Sequence, residues 1–232
     1  MSQELAKQRF DAILRGLPAV PVTVSGSKAA RKPESTHPFA GTAWINPDTP
    51  AEKYRNFIAV DTETTGLNPE ECDIIEISAV RFENCVPTEV FTTLLKPRKP
   101  ITAEIVQING ITNEMVRNCP TFGEIEKSLR DYLGDYPIAA HNASFDIRFL
   151  HTSGLKFRED ALFYDTLALA RKYIRTAEGE KLPSYRLGCA CEACGICFDG
   201  AHRSTADALA AGLLFAEIIG RVCEDTVVIG KF

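Results

Sequence analysis

A chain of 232 residues, 45% of them hydrophobic and 25% charged, can bury one sizeable core with a further segment attached. Its net charge is −5, divided as +3 over residues 1–55 (eight Lys/Arg against five Asp/Glu) and −8 over the rest. That balance speaks against long-range electrostatic grip on a nucleic-acid polyanion and for weak, local binding at most. There is no long uninterrupted apolar run and no signal-peptide pattern at Met1-Ser2-Gln3-Glu4, so no membrane span and a cytoplasmic location are expected.

The first 55 residues read as a separate region. Residues 3–17 have the spacing of a short amphipathic helix, with Leu5, Phe10, Ile13, Leu14 and Leu17 available for one face. From Pro18 to Pro50 the chain is rich in Pro, Ser, Thr and Ala without periodicity. It is read as a linker or a strap laid over the rest, with Phe39, Trp44 and Ile45 as its anchors. The functional alternative for this arm is a docking segment for a polymerase or another partner.

Residues 56–232 read as one α/β domain. Residues 57–63, 74–83 and 89–96 are expected strands, the last two joined through 84–87. Helices are expected over 103–109, 113–117 and 122–133, followed by a strand at 137–141 and a helix starting at 144 or 145. A fifth strand at 161–164 precedes helices over 166–174, 185–194 and 204–222.

Three stretches of this domain carry chemistry: FIAVDTETTG, AHNASFD and AHRSTAD. In the first, side chains two apart on a strand share a face, so Asp61 and Glu63 project together from the end of a buried-looking run, Phe57-Ile58-Ala59-Val60. Two adjacent carboxylates repel, and neither is easily desolvated alone. A hard divalent cation with oxygen ligands, Mg²⁺ or Mn²⁺, resolves that conflict. Asp146 and Asp207 add two further carboxylates, and His202, in a H-x-x-x-x-D spacing with Asp207, adds a near-neutral base. Such a set can hold two cations and activate a water for in-line attack on a phosphodiester.

Each residue also has a plainer reading. Asp61 and Glu63 could form a solvated strand end, and His202 a surface histidine. Asp146 could complement a helix dipole. Ser204-x-x-Asp207 reads equally as a capping box, with Ser204 as N-cap of the helical run 206–219. Those readings must all hold independently, whereas one metal site accounts for the whole set.

The stretches DTETTGL, HNASFDIRFL and AHRSTADA resemble the three motifs of the DEDDh exonucleases. That family includes the proofreading epsilon subunit of bacterial replicative polymerase, the exonuclease domain of Gram-positive replicative polymerases, and RNase T. The resemblance runs from about residue 57 to about 220 and takes in KPRKPITAEIVQINGITNEMV. It implies a ribonuclease H-like fold, a mixed β-sheet flanked by helices. It also implies that Asp61, Glu63 and Asp207 bind one metal, that Asp61 bridges to a second whose water shell Asp146 holds, and that His202 is the general base. Thr62, Thr64, Thr65 and Leu67 would lie against the terminal nucleotide, with His141, Asn142 and Phe145 on its other side. The implied activity is metal-dependent 3′→5′ hydrolysis at a single-stranded or frayed DNA end, releasing nucleoside monophosphates. An RNase T-like or oligoribonuclease-like action on RNA is the alternative within the enzyme class. A polymerase-binding subunit working mainly through residues 1–55 is the alternative outside it.

Two further features are weighed. Cys189, Cys191, Cys194 and Cys197 suggest zinc, but the spacing lacks a distant second pair. On a helix, Cys191 and Cys194 would join Leu187 on one apolar stripe, where free cysteine serves as a small hydrophobe. Lys181, Arg186 and Arg203 are candidate phosphate contacts, Arg203 foremost because it follows His202.

Overall fold

A computed structural model of the chain describes residues 3–26, 39, 41–197 and 203–223. Helix α1 (Gln3–Gly16) comes first. Strands β1 (Phe57–Thr64), β2 (Ile74–Glu83) and β3 (Val86–Leu94) follow, then helices α2 (Ala103–Asn109), α3 (Asn113–Val116) and α4 (Phe122–Leu133). The second half alternates: β4 (Ile138–Ala140), α5 (Ala143–Thr152), β5 (Phe163–Asp165), α6 (Thr166–Tyr173), α7 (Leu187–Ala193) and α8 (Ser204–Val222). The five strands form one mixed sheet in the order β3-β2-β1-β4-β5. The β1/β2 and β2/β3 pairs are antiparallel, and β1/β4 and β4/β5 are parallel.

The central strand β1 is buried on both faces, which its unbroken apolar start requires. Phe57 and Ala59 point into a core shared with α8, where Phe57 lies edge-on to Phe215 at 4.8 Å. Ile58 and Val60 point into the opposite core, with Ile125 and Leu129 of α4 and Ile147 and Leu150 of α5. Helix α8 approaches the sheet closely at Gly212, where a Cβ would come within 2.2 Å of the Phe82 ring and 3.0 Å of Ala59 Cβ. The β2–β3 hairpin closes tighter than expected. Asn84 and Cys85 both take positive φ (52° and 64°), and Glu83 pairs directly with Val86, so β3 begins at Val86.

The described part of the first 55 residues packs against α8 and then along both edges of the sheet. Phe10 is buried in the core against α8, with Ile13, Leu14 and Leu17 packed beside it. Val20 N–H donates to Val90 O (2.8 Å) and Val90 N–H to Pro18 O (2.9 Å), so residues 18–20 cover the β3 edge. At the other edge, Ala43 N–H donates to Phe163 O (2.7 Å) and Asp165 N–H to Thr42 Oγ1 (2.8 Å). Both edges of the sheet thereby find hydrogen-bond partners that would otherwise be solvent or another chain. Of the three expected anchors, Ile45 is buried and Phe39 meets Phe163 at 6.1 Å, while Trp44 stays half exposed with Lys172 over its ring.

Candidate active site

The alternation of β1 distributes the acidic residues over its two faces. Asp61 and Glu63 continue the Phe57/Ala59 face toward α8, and Thr62 continues the Ile58/Val60 face toward α5. The pairing with β2 shifts between Glu63 and Thr64, skipping Ile75, at the end of the strand where the acids project. Asp207, in the first turn of α8, meets Asp61 and Glu63: one carboxylate oxygen from each of the three lies within 4.8 Å of the others. Among the described residues this is the one group of three side chains able to hold a metal ion.

Asp146 reaches the same strand from α5. It is buried, and its Oδ1 accepts the Thr62 backbone N–H (3.0 Å) and the Thr62 hydroxyl (2.8 Å). Four of the five expected catalytic residues therefore converge on β1. The fifth, His202, lies outside the described residues.

Electrostatics set these acids apart from ordinary surface carboxylates. Burial, then Asp146, Asp207, Glu63 and Glu76, push Asp61 well above the usual carboxylate range. Glu63 is pushed up to about 7 by burial, then by Asp207 and Glu76, against a hydrogen bond from Asn109. Burial raises Asp146 to about 7, opposed by its two bonds from Thr62. A cluster that cannot shed its protons without cost fits a divalent cation, whose charge would let all the carboxylates ionise together. The donor set is all oxygen, which suits Mg²⁺ or Mn²⁺ better than a soft metal.

The expected substrate-side residues fall into two groups. Leu67 is 85% exposed in the loop after β1, and Phe145 is half-buried, its ring 4.9 Å from Phe149. Asn142 is exposed at φ 73°, with its N–H held by Asp165 Oδ1 (3.0 Å). The hydroxyl groups of Thr62, Thr64 and Thr65 instead bond Asp146, Gly66 O (2.7 Å) and Asp73 N–H (2.9 Å), and so shape the strand end from within. Both His141 ring nitrogens are engaged as well, Nδ1 with Thr166 Oγ1 and Nε2 with Tyr185 O, each at 2.9 Å. Burial lowers its pKa, so His141 works as a neutral tether between α6 and the segment before α7.

Two sequence readings are corrected here. Ser204 is not the N-cap of α8. Arg203 holds that position, and the Ser204 N–H is taken by Glu76 Oε2 of β2 (3.0 Å), so a tertiary partner displaces the local capping box. Arg203, the foremost candidate phosphate contact, is half exposed but not free. Its guanidinium grips the Glu76 carboxylate, with Nε and Nη2 at 3.1 and 2.6 Å from Oε1. Lys181 and Arg186 are exposed.

The cysteine run resolves as an apolar stripe. Cys191 is fully buried beneath α8, Cys194 and Leu187 pack beside it, and Cys189 is exposed on another face. Glu76 and Asn109 were missed from sequence. Asn109 is buried with Oδ1 on Ile111 N–H (3.0 Å) and a hydrogen bond to Glu63. No helix among the described residues is long and apolar enough to cross a membrane.

Residues 58–215 match the family described as Exonuclease. Among curated relatives, the chain is 33% identical over 168 residues to a DNA polymerase III subunit epsilon from Aquifex aeolicus, covering 70% of this chain and 80% of that one. It is 30% identical over 172 residues to a PolC-type DNA polymerase III from Bacillus cereus, covering 72% of this chain but 12% of that much longer one. The fold is that of solved exonuclease I, with a TM-score of 0.60 at 22% identity over 73% of this chain and 42% of that one. With two-thirds of its length inside the family match, and with Asp61 and Glu63 of β1 meeting Asp207 of α8, the chain belongs to the exonuclease family.

Proposed function

We propose that this chain is a metal-dependent 3′→5′ exonuclease that removes nucleotides from the end of a single-stranded or frayed DNA strand. The observation that carries the reading is the convergence of Asp61, Glu63 and Asp207 within 4.8 Å on one face of β1, with Asp146 fixed to the other face through Thr62. Bound Mg²⁺ or Mn²⁺ would supply Lewis acidity and a water acidified toward neutral pH. Asp61, Glu63 and Asp207 would hold the cations, and Asp146 the water shell on the second. His202, from its place in the motif, would take the proton of the attacking water. Leu67 and Phe145 offer apolar surfaces on which a terminal base gains about 1–3 kcal/mol by stacking without sequence preference.

DNA is the favoured substrate because relatives carry the names DNA polymerase III epsilon and PolC-type, and a solved exonuclease I is described in complex with a dA16 oligonucleotide. The same names support association with a polymerase, and a nucleic-acid substrate fits a cytoplasmic location. The test is release of mononucleotide from matched DNA and RNA strands labelled at the 3′ terminus, in Mg²⁺ or Mn²⁺. Labelled deoxynucleoside monophosphate should appear at the first turnover. Faster release from RNA would move the assignment to RNA, and release of labelled oligonucleotides would make the enzyme an endonuclease.

A further inference from the structure

We infer that Glu76, through its ion pair with Arg203, is a positioning residue that sets Asp207 in place opposite Asp61 and Glu63. The inference rests on the metal-site reading above and extends it to the groups that assemble the site. Glu76 lies on β2 directly across from Glu63, and Ser78 directly across from Asp61, so both point toward α8 from beside the two ligands. Glu76 is 2% exposed. A fourth carboxylate on that face would only add repulsion, yet its oxygens are filled by donors. Arg203 Nε and Nη2 reach Oε1, while Ser204 N–H and, at 3.3 Å, Arg203 Nε reach Oε2.

The pair leads directly to the third ligand. Arg203 is the N-cap of α8, and its backbone oxygen accepts the Asp207 N–H (3.2 Å). Two successive interactions therefore link Glu76 on the sheet to Asp207 on the helix. A second layer does the same work beside it. Ser78 Oγ bonds Ser204 Oγ (2.7 Å), Thr205 Oγ1 (2.8 Å) and Thr92 Oγ1 (2.8 Å), pinning the first turn of α8 to β2 and β3.

The need for such a pin follows from the rest of α8. Thirteen of its residues are buried, most of them Ala, Leu and Ile, and the close fit at Gly212 seats the middle of the helix, so the first turn, which carries Asp207, depends on polar contacts of its own. In any α-helix, a slip of one residue moves a side chain about 1.5 Å along the axis and about 100° around it. Octahedral Mg²⁺ at about 2.0–2.1 Å tolerates no such error. A polar contact that can be made in one register fixes the carboxylate where apolar surface cannot.

The experiment compares wild type, Glu76→Gln, Arg203→Met, Arg203→Lys and the Glu76→Gln/Arg203→Met double variant. Mn²⁺ binding is measured by calorimetry, kcat and KM on single-stranded DNA by cleavage, and amide exchange at residues 204–207 in the metal-free protein. Circular dichroism at the assay temperature establishes that each variant is folded. Mn²⁺ affinity should fall about 10–100-fold in Glu76→Gln and Arg203→Met, as for other groups that orient metal ligands. The double variant should be no weaker than the worse single, because both changes break one link. Exchange at 204–207 should quicken, kcat should fall with KM unchanged, and Arg203→Lys should recover part of the affinity.

Tighter Mn²⁺ binding in Arg203→Met would overturn the inference, since it would mean that the arginine matters only as a nearby positive charge. A raised KM with unchanged Mn²⁺ affinity would overturn it too, and would make Arg203 a phosphate contact. Failure of wild type itself to bind Mn²⁺ would instead defeat the metal-site reading on which the inference stands.

Discussion

Replacing Glu63 with glutamine should stabilise the metal-free protein at alkaline pH and remove much of its response to metal. The carboxyl of Glu63 is raised from an ordinary 4.5 to about 7, first by burial and then by Asp207 and Glu76. A raised carboxyl binds its proton more tightly in the folded chain than in the unfolded one. Its stabilising contribution is therefore complete below the unfolded value and is lost as pH climbs through the folded value. At roughly 1.4 kcal/mol per pH unit, the interval from 4.5 to 7 corresponds to about 3.5 kcal/mol. Partial exposure of Glu63 lets solvent screen that to about 1–2 kcal/mol. Glutamine keeps an oxygen for Asn109 and carries no charge. In EDTA at pH 8, Glu63→Gln should melt about 2–8 °C above wild type, and at pH 5 the two should nearly coincide. With Mn²⁺ at about 100 times its dissociation constant, wild type should gain about 2.7 kcal/mol and the variant much less. Thermal unfolding followed by circular dichroism measures all of this. A variant that melts at or below wild type in EDTA at pH 8, or whose advantage is the same at both pH values, refutes the view that mutual repulsion strains this cluster.

Thr62→Val removes the hydroxyl bond to Asp146 and leaves the backbone one, so the Asp146 carboxyl should titrate above its present value of about 7. A ¹³C NMR titration of the metal-free protein reads this directly, and an unchanged midpoint would mean that the hydroxyl does not hold the ionised form. Gly212→Ala should destabilise by about 1–3 kcal/mol although alanine is the better helix former by about 1 kcal/mol, because its Cβ meets the Phe82 ring. Urea denaturation measures that balance, and a stabilised variant would show that α8 can move off the sheet freely. His202→Ala should keep Mn²⁺ affinity while losing about 10²–10⁴-fold in rate, with near-normal turnover removing the general-base role.

What the sequence made legible was set by local periodicity. The alternation in FIAVDTET puts Asp61 and Glu63 on one face and Thr62 on the other, and β1 keeps that order. Helices α2, α4 and α8 run over the same residues as expected, because the apolar spacing of a helix lies within a few residues of sequence. Glu76 was invisible for the opposite reason. In IIEISAV it reads as a lone acid in an apolar strand, and the arginine that justifies its burial is 127 positions away. Asn109 likewise reveals its part only through Glu63, on another element. The Ser204 capping box failed as an expectation because a partner on β2 competes for the same N–H. Residues 18–20 and 42–43 carry no periodicity at all, since a single extended stretch at a sheet edge needs backbone groups and not a pattern of side chains.

The most direct test is a time course of a 5′-labelled single-stranded DNA with Mg²⁺, with EDTA, and with the Asp61→Ala protein in place of wild type. A ladder that shortens stepwise from the 3′ end, present only for wild type with metal, is the predicted result. Shortening that persists in EDTA or in Asp61→Ala would contradict the account at its centre, because the carboxylates that meet at the end of β1 would then not be the groups that act.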